Sequence, residues 1–289
     1  MFAAPFDYYR AGSIDEAQQL LRAHPGAKLL AGGHSLIPLM KMRLATPSAV
    51  VDIGRIAELK GISANGTALR IGSLTTHAEL ASSPDLASAC PMLAEAASMI
   101  GDTQVRNVGT IGGNIAHADP ASDLPAVLLA LDATVHAAGP KGARTIPIGD
   151  FFQGMMTTAL GSDEILTAID IPAKPAGQGT AYVKFRHPAS GYAVVGAAAV
   201  VSVADGTVSA ARVAIAGLMP AAVRCGDVER AIARQPATPE SVAQAAAEVH
   251  RALNDEVMGD IFASAEYRRA MAPVYVGRAL TLAAARTAS

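Results

Sequence analysis

The residues best suited to chemistry are two glycine pairs and their polar neighbours. Arg106-Asn107-Val108-Gly109-Thr110-Ile111-Gly112-Gly113-Asn114 sets three glycines, a threonine and two asparagines within nine residues. Leu30-Ala31-Gly32-Gly33-His34-Ser35-Leu36 carries the second pair, again straight after an apolar run. Glycine pairs cost backbone entropy and are kept where the chain needs a positive φ or a close approach. Successive free N–H groups in a tight turn form an anion-binding nest suited to phosphate. Two converging nests would clamp the two phosphates of a pyrophosphate, with Thr110, Ser35 and Asn114 as side-chain donors. On this reading the bare Gly112 lets the backbone approach the ligand. The alternative reading of each pair is an ordinary tight turn.

Other chemistry is poorly supported. No G-x-G-x-x-G follows a strand and no Gly-Lys-Ser/Thr occurs, which argues against a Rossmann site and excludes a P-loop of the usual form. Gly33-His34-Ser35-Leu36-Ile37 matches a nucleophile elbow until its last position, where glycine should stand. His117-Ala118-Asp119 has no H-x-x-x-H or C-x-x-C beside it, and His24, His77 and His136 are scattered. A metal site is not expected. Asp123, after Pro120-Ala121-Ser122, reads as a helix N-cap, as a pocket group accepting a ligand hydroxyl, or as both. Tyr192 reads either as a core aromatic or as a flat stacking surface, in a chain with 4% aromatics. Lys184 shares its neighbourhood.

These residues need a scaffold, and the 289 residues are enough for roughly two or three compact units. Hydrophobic residues make up 51% and charged ones 17%, a globular balance. The net charge of -2, without runs of like charge, argues against nucleic acid or an anionic membrane as partner. Cys90 and Cys225 read as free thiols in a reducing cytosol, and two thiols cannot supply the four ligands an iron–sulfur cluster usually takes. The N-terminal residues do not read as a signal peptide, and the apolar run Tyr192 to Ala204 is too short to span a bilayer. A soluble, cytoplasmic chain is expected.

Along the chain, Ser13-Ile14-Asp15-Glu16 reads as a capping box opening a helix. Lys28 to Ala31 and Ala49 to Ile53 read as strands, with Leu36 to Leu44 helical between them. Asn65-Gly66 signals a hairpin, and Asp85 to Ile100 a helix that Pro91 kinks or restarts. Asp123 to Leu131 reads as a helix, and Ala133 to Ala137, Arg144 to Ile148 and Glu164 to Ile171 as strands. Pro172 to Gly179 is the best domain boundary. Beyond it come strands Ala181 to Arg186, Tyr192 to Ala204 and Thr207 to Gly217. Helices follow at Asp227 to Arg234, at Pro239 to Leu253 and from Ala265 onward, the last kinked or split at Pro273. Strands followed by helices argue an α+β fold.

Taken together, these motifs resemble the FAD-binding medium subunit of molybdenum hydroxylases, of the aerobic carbon monoxide dehydrogenase type and homologous to the flavin domain of xanthine dehydrogenase. The resemblance rests on Pro5-Phe6-Asp7-Tyr8, Ala31 to Ser35 and the Ile100-Gly101 and Gln104 to Asn107 approach to Thr110-Ile111-Gly112-Gly113-Asn114. It rests also on Ala118-Asp119-Pro120, Asp123-Leu124-Pro125 and Ser264-Ala265-Glu266-Tyr267-Arg268. It implies FAD subdomains at 1–55 and 56–175, of the vanillyl-alcohol-oxidase type, and a C-terminal domain of antiparallel sheet plus helices at 176–289. Leu30 to Leu36 and Thr110 to Asn114 would hold the pyrophosphate and ribityl. Asp123, Leu166 and Lys184 match flavin-pocket positions, and Tyr192 an aromatic beside the isoalloxazine. No catalytic acid or base is implied.

The implied role is an electron relay in a heterotrimer, two of which form a heterohexamer. A large chain would carry the molybdenum cofactor and a small chain two [2Fe-2S] clusters, with quinone, NAD or another molecule as acceptor. A self-sufficient flavin oxidase and a non-catalytic assembly module are the rival readings.

Overall fold

The computed structural model describes residues 2–65, 67–173 and 177–288. Strands β1 (Asp7–Arg10), β2 (Lys28–Leu30) and β3 (Ala49–Asp52) form a parallel sheet in the order β1-β3-β2. The sequence pattern does not announce strand β1, because Asp7 to Arg10 is largely exposed and shows no apolar alternation. Helix Ile14–Ala23 crosses from β1 to β2, burying Ala17 and Leu21. Ser13 caps it by accepting the Glu16 N–H, while the Glu16 carboxylate takes the N–H of Gly12 rather than of Ser13. Only half of the expected capping box therefore forms.

A second sheet is antiparallel. Strands β4 (Ile62–Asn65), β5 (Ala68–Gly72), β6 (Thr134–Gly139) and β7 (Gly142–Pro147) join it, β8 (Phe152–Gly154) and β9 (Thr157–Thr158) form a separate ribbon, and β10 (Ile165–Pro172) lies at its centre. The order is β4-β5-β10-β6-β7. Asn65 pairs with Ala68, as the hairpin signal requires, though Gly66 itself lies outside the described residues. Pro91 restarts rather than kinks its helix: Pro84–Ala89 and Pro91–Ser98 are separate, each with proline in its first turn.

Strands β11 (Gln178–Arg186), β12 (Ala193–Ala204), β13 (Thr207–Ala216) and β14 (Val223–Arg224) form the third sheet, antiparallel in sequence order. The expected boundary segment includes residues 174–176, which lie outside the described residues. Ala198, Val200, Ala214 and Ala216 join the core beneath helices Pro91–Ser98 and Leu124–Ala130. Ala197, Ala199, Val201, Val213 and Ile215 join a second core beneath helix Ala265–Ala285. A sheet covered on both faces needs continuous rather than alternating apolar strands, which is why Ala193 to Val201 is unbroken. Pro273 does not split the last helix, which runs through it for 21 residues. Ala272, Val276, Ala279, Leu280 and Ala283 lock that helix into the core and offset the lost backbone bond.

Candidate cofactor site

The first glycine segment leaves the parallel sheet at Leu30, and Gly33 turns it with φ +72°. The backbone N–H groups of Gly32, Gly33, His34, Ser35 and Leu36 have no hydrogen-bond acceptor among the described residues. Ser35 stands at the N-cap of helix Leu36–Lys41, yet its side chain makes no cap bond. This cluster of donors at the surface is a nest in the physical sense, with His34 the most exposed member. Gly32 is bare for a definite reason: a Cβ there would run into the carbonyl of Val108 and lie 2.8 Å from Gly109 Cα. The two glycine segments therefore touch, as expected.

The second segment is built differently. Thr110 is an N-cap, and Ile111–His117 is a helix rather than an open loop. Its first N–H groups are already used: Ile111 donates to Thr75 O at 3.0 Å, Gly112 to Ser73 O at 2.8 Å, Gly113 to Thr110 Oγ1 at 3.1 Å and Asn114 to Thr110 O at 2.9 Å. Gly112 is buried, and a Cβ on it would stand 2.5 Å from Ser73 Cβ. It therefore makes room for a protein neighbour rather than a ligand. What the segment offers outward is the exposed Gly113, whose Cβ position is 3.8 Å from Ala31 Cβ, and the Nδ2 amide of Asn114. Asn114 Oδ1 accepts from Ser122 Oγ at 2.7 Å, which leaves Nδ2 without a partner among the described residues.

Asp123 follows Ser122 into the interior. It occupies the N-cap position of helix Leu124–Ala130 but makes no cap bond. Its carboxylate takes Tyr182 Oη at 2.5 Å and Lys184 Nζ at 2.9 Å. Lys184, 3% exposed at its side chain, spends its remaining protons on the carbonyls of Met99 (3.0 Å) and Gly191 (2.9 Å). Burial raises the Asp123 carboxyl above its ordinary range, against the pull of Lys184 and Tyr182. Burial and Asp123 together raise the Tyr182 phenol. Tyr182 was missed from the sequence. Its spacing of two from Lys184 on one strand, which puts both on the same face, was the available signal.

Tyr192 is 43% exposed at the entry to β12. The next N–H, of Ala193, donates to Ala121 O at 3.1 Å, which places Tyr192 beside the 119–123 loop. Burial, Asp119 and Asp123 all raise its phenol above the ordinary value. Leu166 instead lies on β10, 6% exposed, in the core shared with Ile111 and Ile115 of the glycine helix.

Two further groups belong to the surroundings of the second segment. His77, at the start of helix His77–Ser82, donates its N–H to Gly109 O at 2.9 Å. Its Nδ1 is buried without a partner, as is Ser73 Oγ. Burial lowers the His77 pKa to about 4, with His34 and Arg106 adding repulsion. Arg106 bonds carbonyls of Ile100 and Gly101 and has no carboxylate partner among the described residues. Unpaired donors and an uncompensated cation beside a solvent-facing nest suit an anion and would disfavour a cation. No group of three metal-ligating side chains occurs among the described residues.

Residues 4–174 match the FAD binding domain in molybdopterin dehydrogenase, and residues 180–283 the CO dehydrogenase flavoprotein C-terminal domain. The chain is 42% identical to the carbon monoxide dehydrogenase medium chain of Hydrogenophaga pseudoflava, covering 100% of both. It is 39% identical to the nicotine 6-hydroxylase medium subunit of Paenarthrobacter nicotinovorans, over 97% of this chain and 98% of that one. Among solved structures, carbon monoxide dehydrogenase from Hydrogenophaga pseudoflava superposes with a TM-score of 0.95 at 42% identity, covering 99% of each chain. Quinoline 2-oxidoreductase from Pseudomonas putida 86 does so with a TM-score of 0.95 at 30% identity, covering 100% of each. The open nest, the helix pinned beside it and these full-length matches have one common explanation: the chain belongs to the FAD-binding medium subunits of the molybdenum hydroxylases, a family of oxidoreductase subunits.

Proposed function

We propose that this chain is the electron-relay subunit of a heterotrimeric molybdenum hydroxylase, with FAD held where the two glycine segments meet. FAD supplies redox chemistry that joins one-electron input to one- or two-electron output. The observation that carries the reading is the unbroken set of free N–H groups from Gly32 to Leu36, backed by the positive charge of Arg106. These N–H groups would take the pyrophosphate, with the Ser35 hydroxyl and Asn114 Nδ2 as added donors. Leu30, Ala31, Gly113 and Thr110 would line the approach. Ile111, Gly112 and Leu166 would fix it from beneath. Tyr192 would lie beside the isoalloxazine, with Asp123 and Lys184 supporting that edge.

The assignment extends to architecture and partners. Subdomains at 1–55 and 56–175 would form a vanillyl-alcohol-oxidase-type fold, with the third domain at 176–289. The residue ranges of the three sheets support that division. A small chain would carry two [2Fe-2S] clusters and a large chain the molybdenum cofactor, with two trimers in a cytoplasmic heterohexamer. An external acceptor, quinone or NAD, would receive the electrons. No described helix is long and apolar enough to cross a membrane. The test is to produce the chain with its two partner chains and measure flavin per trimer. One FAD per medium chain, bleached when the large chain's substrate is added, is expected. A complex that turns over substrate with no flavin would overturn the assignment.

A further inference from the structure

The signature Ser264 to Arg268 lies far in sequence from both glycine segments and has no part in them. Ser264 caps helix Ala265–Ala285, accepting the Tyr267 N–H at 3.1 Å. One turn later stands Arg268, only 6% exposed, which is rare for an arginine. Its Nη2 meets Asp260 Oδ2 at 2.5 Å. Its other contacts are backbone carbonyls: Nε to Ala263 at 3.2 Å, and Nη1 to Val194 at 3.0 Å and to Gly217 at 2.6 Å. One planar group thus joins the turn before the helix, the start of β12 and the residue that follows β13.

Those strand ends hold the cofactor side of the domain. Ala193 donates to Ala121 O at 3.1 Å and Gly217 to Pro120 O at 2.8 Å, so together they carry the loop leading to Asp123. Gly217, at φ +88°, lies so close to β12 that a Cβ would be 2.5 Å from Ala193 O. Val194 is two residues from Tyr192. We infer that Arg268 is a positioning residue of the cofactor site, fixing Tyr192 and the Asp119 to Asp123 loop through the carbonyls of Val194 and Gly217. The inference rests on the assignment of Tyr192 and that loop to the flavin pocket. Lysine cannot replace it, because one ammonium does not span the positions that a guanidinium fork reaches.

The test compares Arg268→Lys with Arg212→Lys in the complex assembled with the partner chains. Arg212 also ties β13 to the rest of the protein, through Ala130 O at 2.9 Å, but well away from Tyr192. Arg268→Lys is expected to weaken FAD binding about tenfold to a hundredfold, the range for hydrogen bonds to a charged group. It should also speed amide exchange at Ala193 and Gly217, whereas Arg212→Lys leaves both within about twofold. If Arg268→Lys does not assemble, Asp260→Ala removes one of the four contacts and should give the same two changes at about twofold to fivefold. FAD binding and exchange unchanged in the position-268 variant, or equal losses in both variants, would overturn the inference. If the unsubstituted complex binds no FAD, the flavin assignment fails by itself. Exchange at Ala193 and Gly217 then decides the clamp, with acceleration supporting it and unchanged rates refuting it.

Discussion

Two segments of the same chain, each with an adjacent glycine pair after an apolar run, have opposite structural economies. At Gly32-Gly33 the backbone N–H groups are left open and the glycines make a turn and a contact with the other segment. At Gly112-Gly113 the N–H groups are consumed by Ser73, Thr75 and Thr110, and the buried glycine admits Ser73. The same dipeptide thus leaves backbone donors open in one place and serves packing in the other. The lesson is that a glycine pair marks close approach, and only the hydrogen-bond accounting says what approaches.

If the second segment and the interior behind it are structural, substitutions there should cost stability first. The largest effect is expected from Lys184→Met, which strands the Asp123 carboxylate 4% exposed. Urea unfolding should register a loss of about 3–5 kcal/mol, the usual cost of breaking a buried pair from one side. A loss below about 1 kcal/mol would mean that this pair is held for something other than the fold.

Next comes Gly112→Val, whose added atoms meet the Ser73 backbone and have little means of displacing it. A loss of about 3 kcal/mol is expected, at the upper end for overpacking, with flavin lost as a consequence of loosened packing. A fully stable Gly112→Val chain lacking FAD would instead restore a ligand-contact role for this glycine.

His77 gives a pH signature of similar size. Its pKa falls from 6.5 to about 4 on folding, so the unfolded chain binds the proton more readily. The stabilisation is complete above pH 6.5 and is lost as pH falls toward 4, in total roughly 3 kcal/mol at about 1.4 kcal/mol per unit. Unfolding free energy measured against pH should lose this limb in His77→Leu. An unchanged limb would place the titration elsewhere.

The smallest stability effect belongs to the open segment. Replacing an N-cap serine usually costs about 1 kcal/mol, but Ser35 makes no cap bond. Ser35→Ala should therefore shift unfolding by no more than about 0.5 kcal/mol while weakening FAD binding about tenfold. A normal cap-sized loss of stability with unaltered FAD affinity would reverse the contrast between the segments.

Both glycine pairs, the third sheet and the helix after Asp123 were legible because period, glycine and proline are local signals. What was not legible depended on distant partners. Nothing around Gly112 announces that Ser73 will fill its side, so a helix containing two glycines, each costing about 1 kcal/mol in propensity, read as a loop. Asp123 reads as a cap, a pocket group or both, because the residues that claim it, Tyr182 and Lys184, lie on a strand of the third sheet, distant in sequence. Pro273 reads as a kink or a split because the core packing that carries the helix through it is tertiary. Arg268 stood within a recognised signature, but its four contacts could be read only once the chain had folded.

The most direct measurement is residue-resolved amide exchange on the assembled complex, depleted of FAD and then reloaded. The amides of Gly32 to Leu36 should exchange fast without FAD and slow by about tenfold or more with it. Those of Ile111 to Asn114 should be slow in both states, because their bonds are already made within the chain. FAD-dependent protection confined to Ile111 to Asn114, with Gly32 to Leu36 unaffected, would contradict the account.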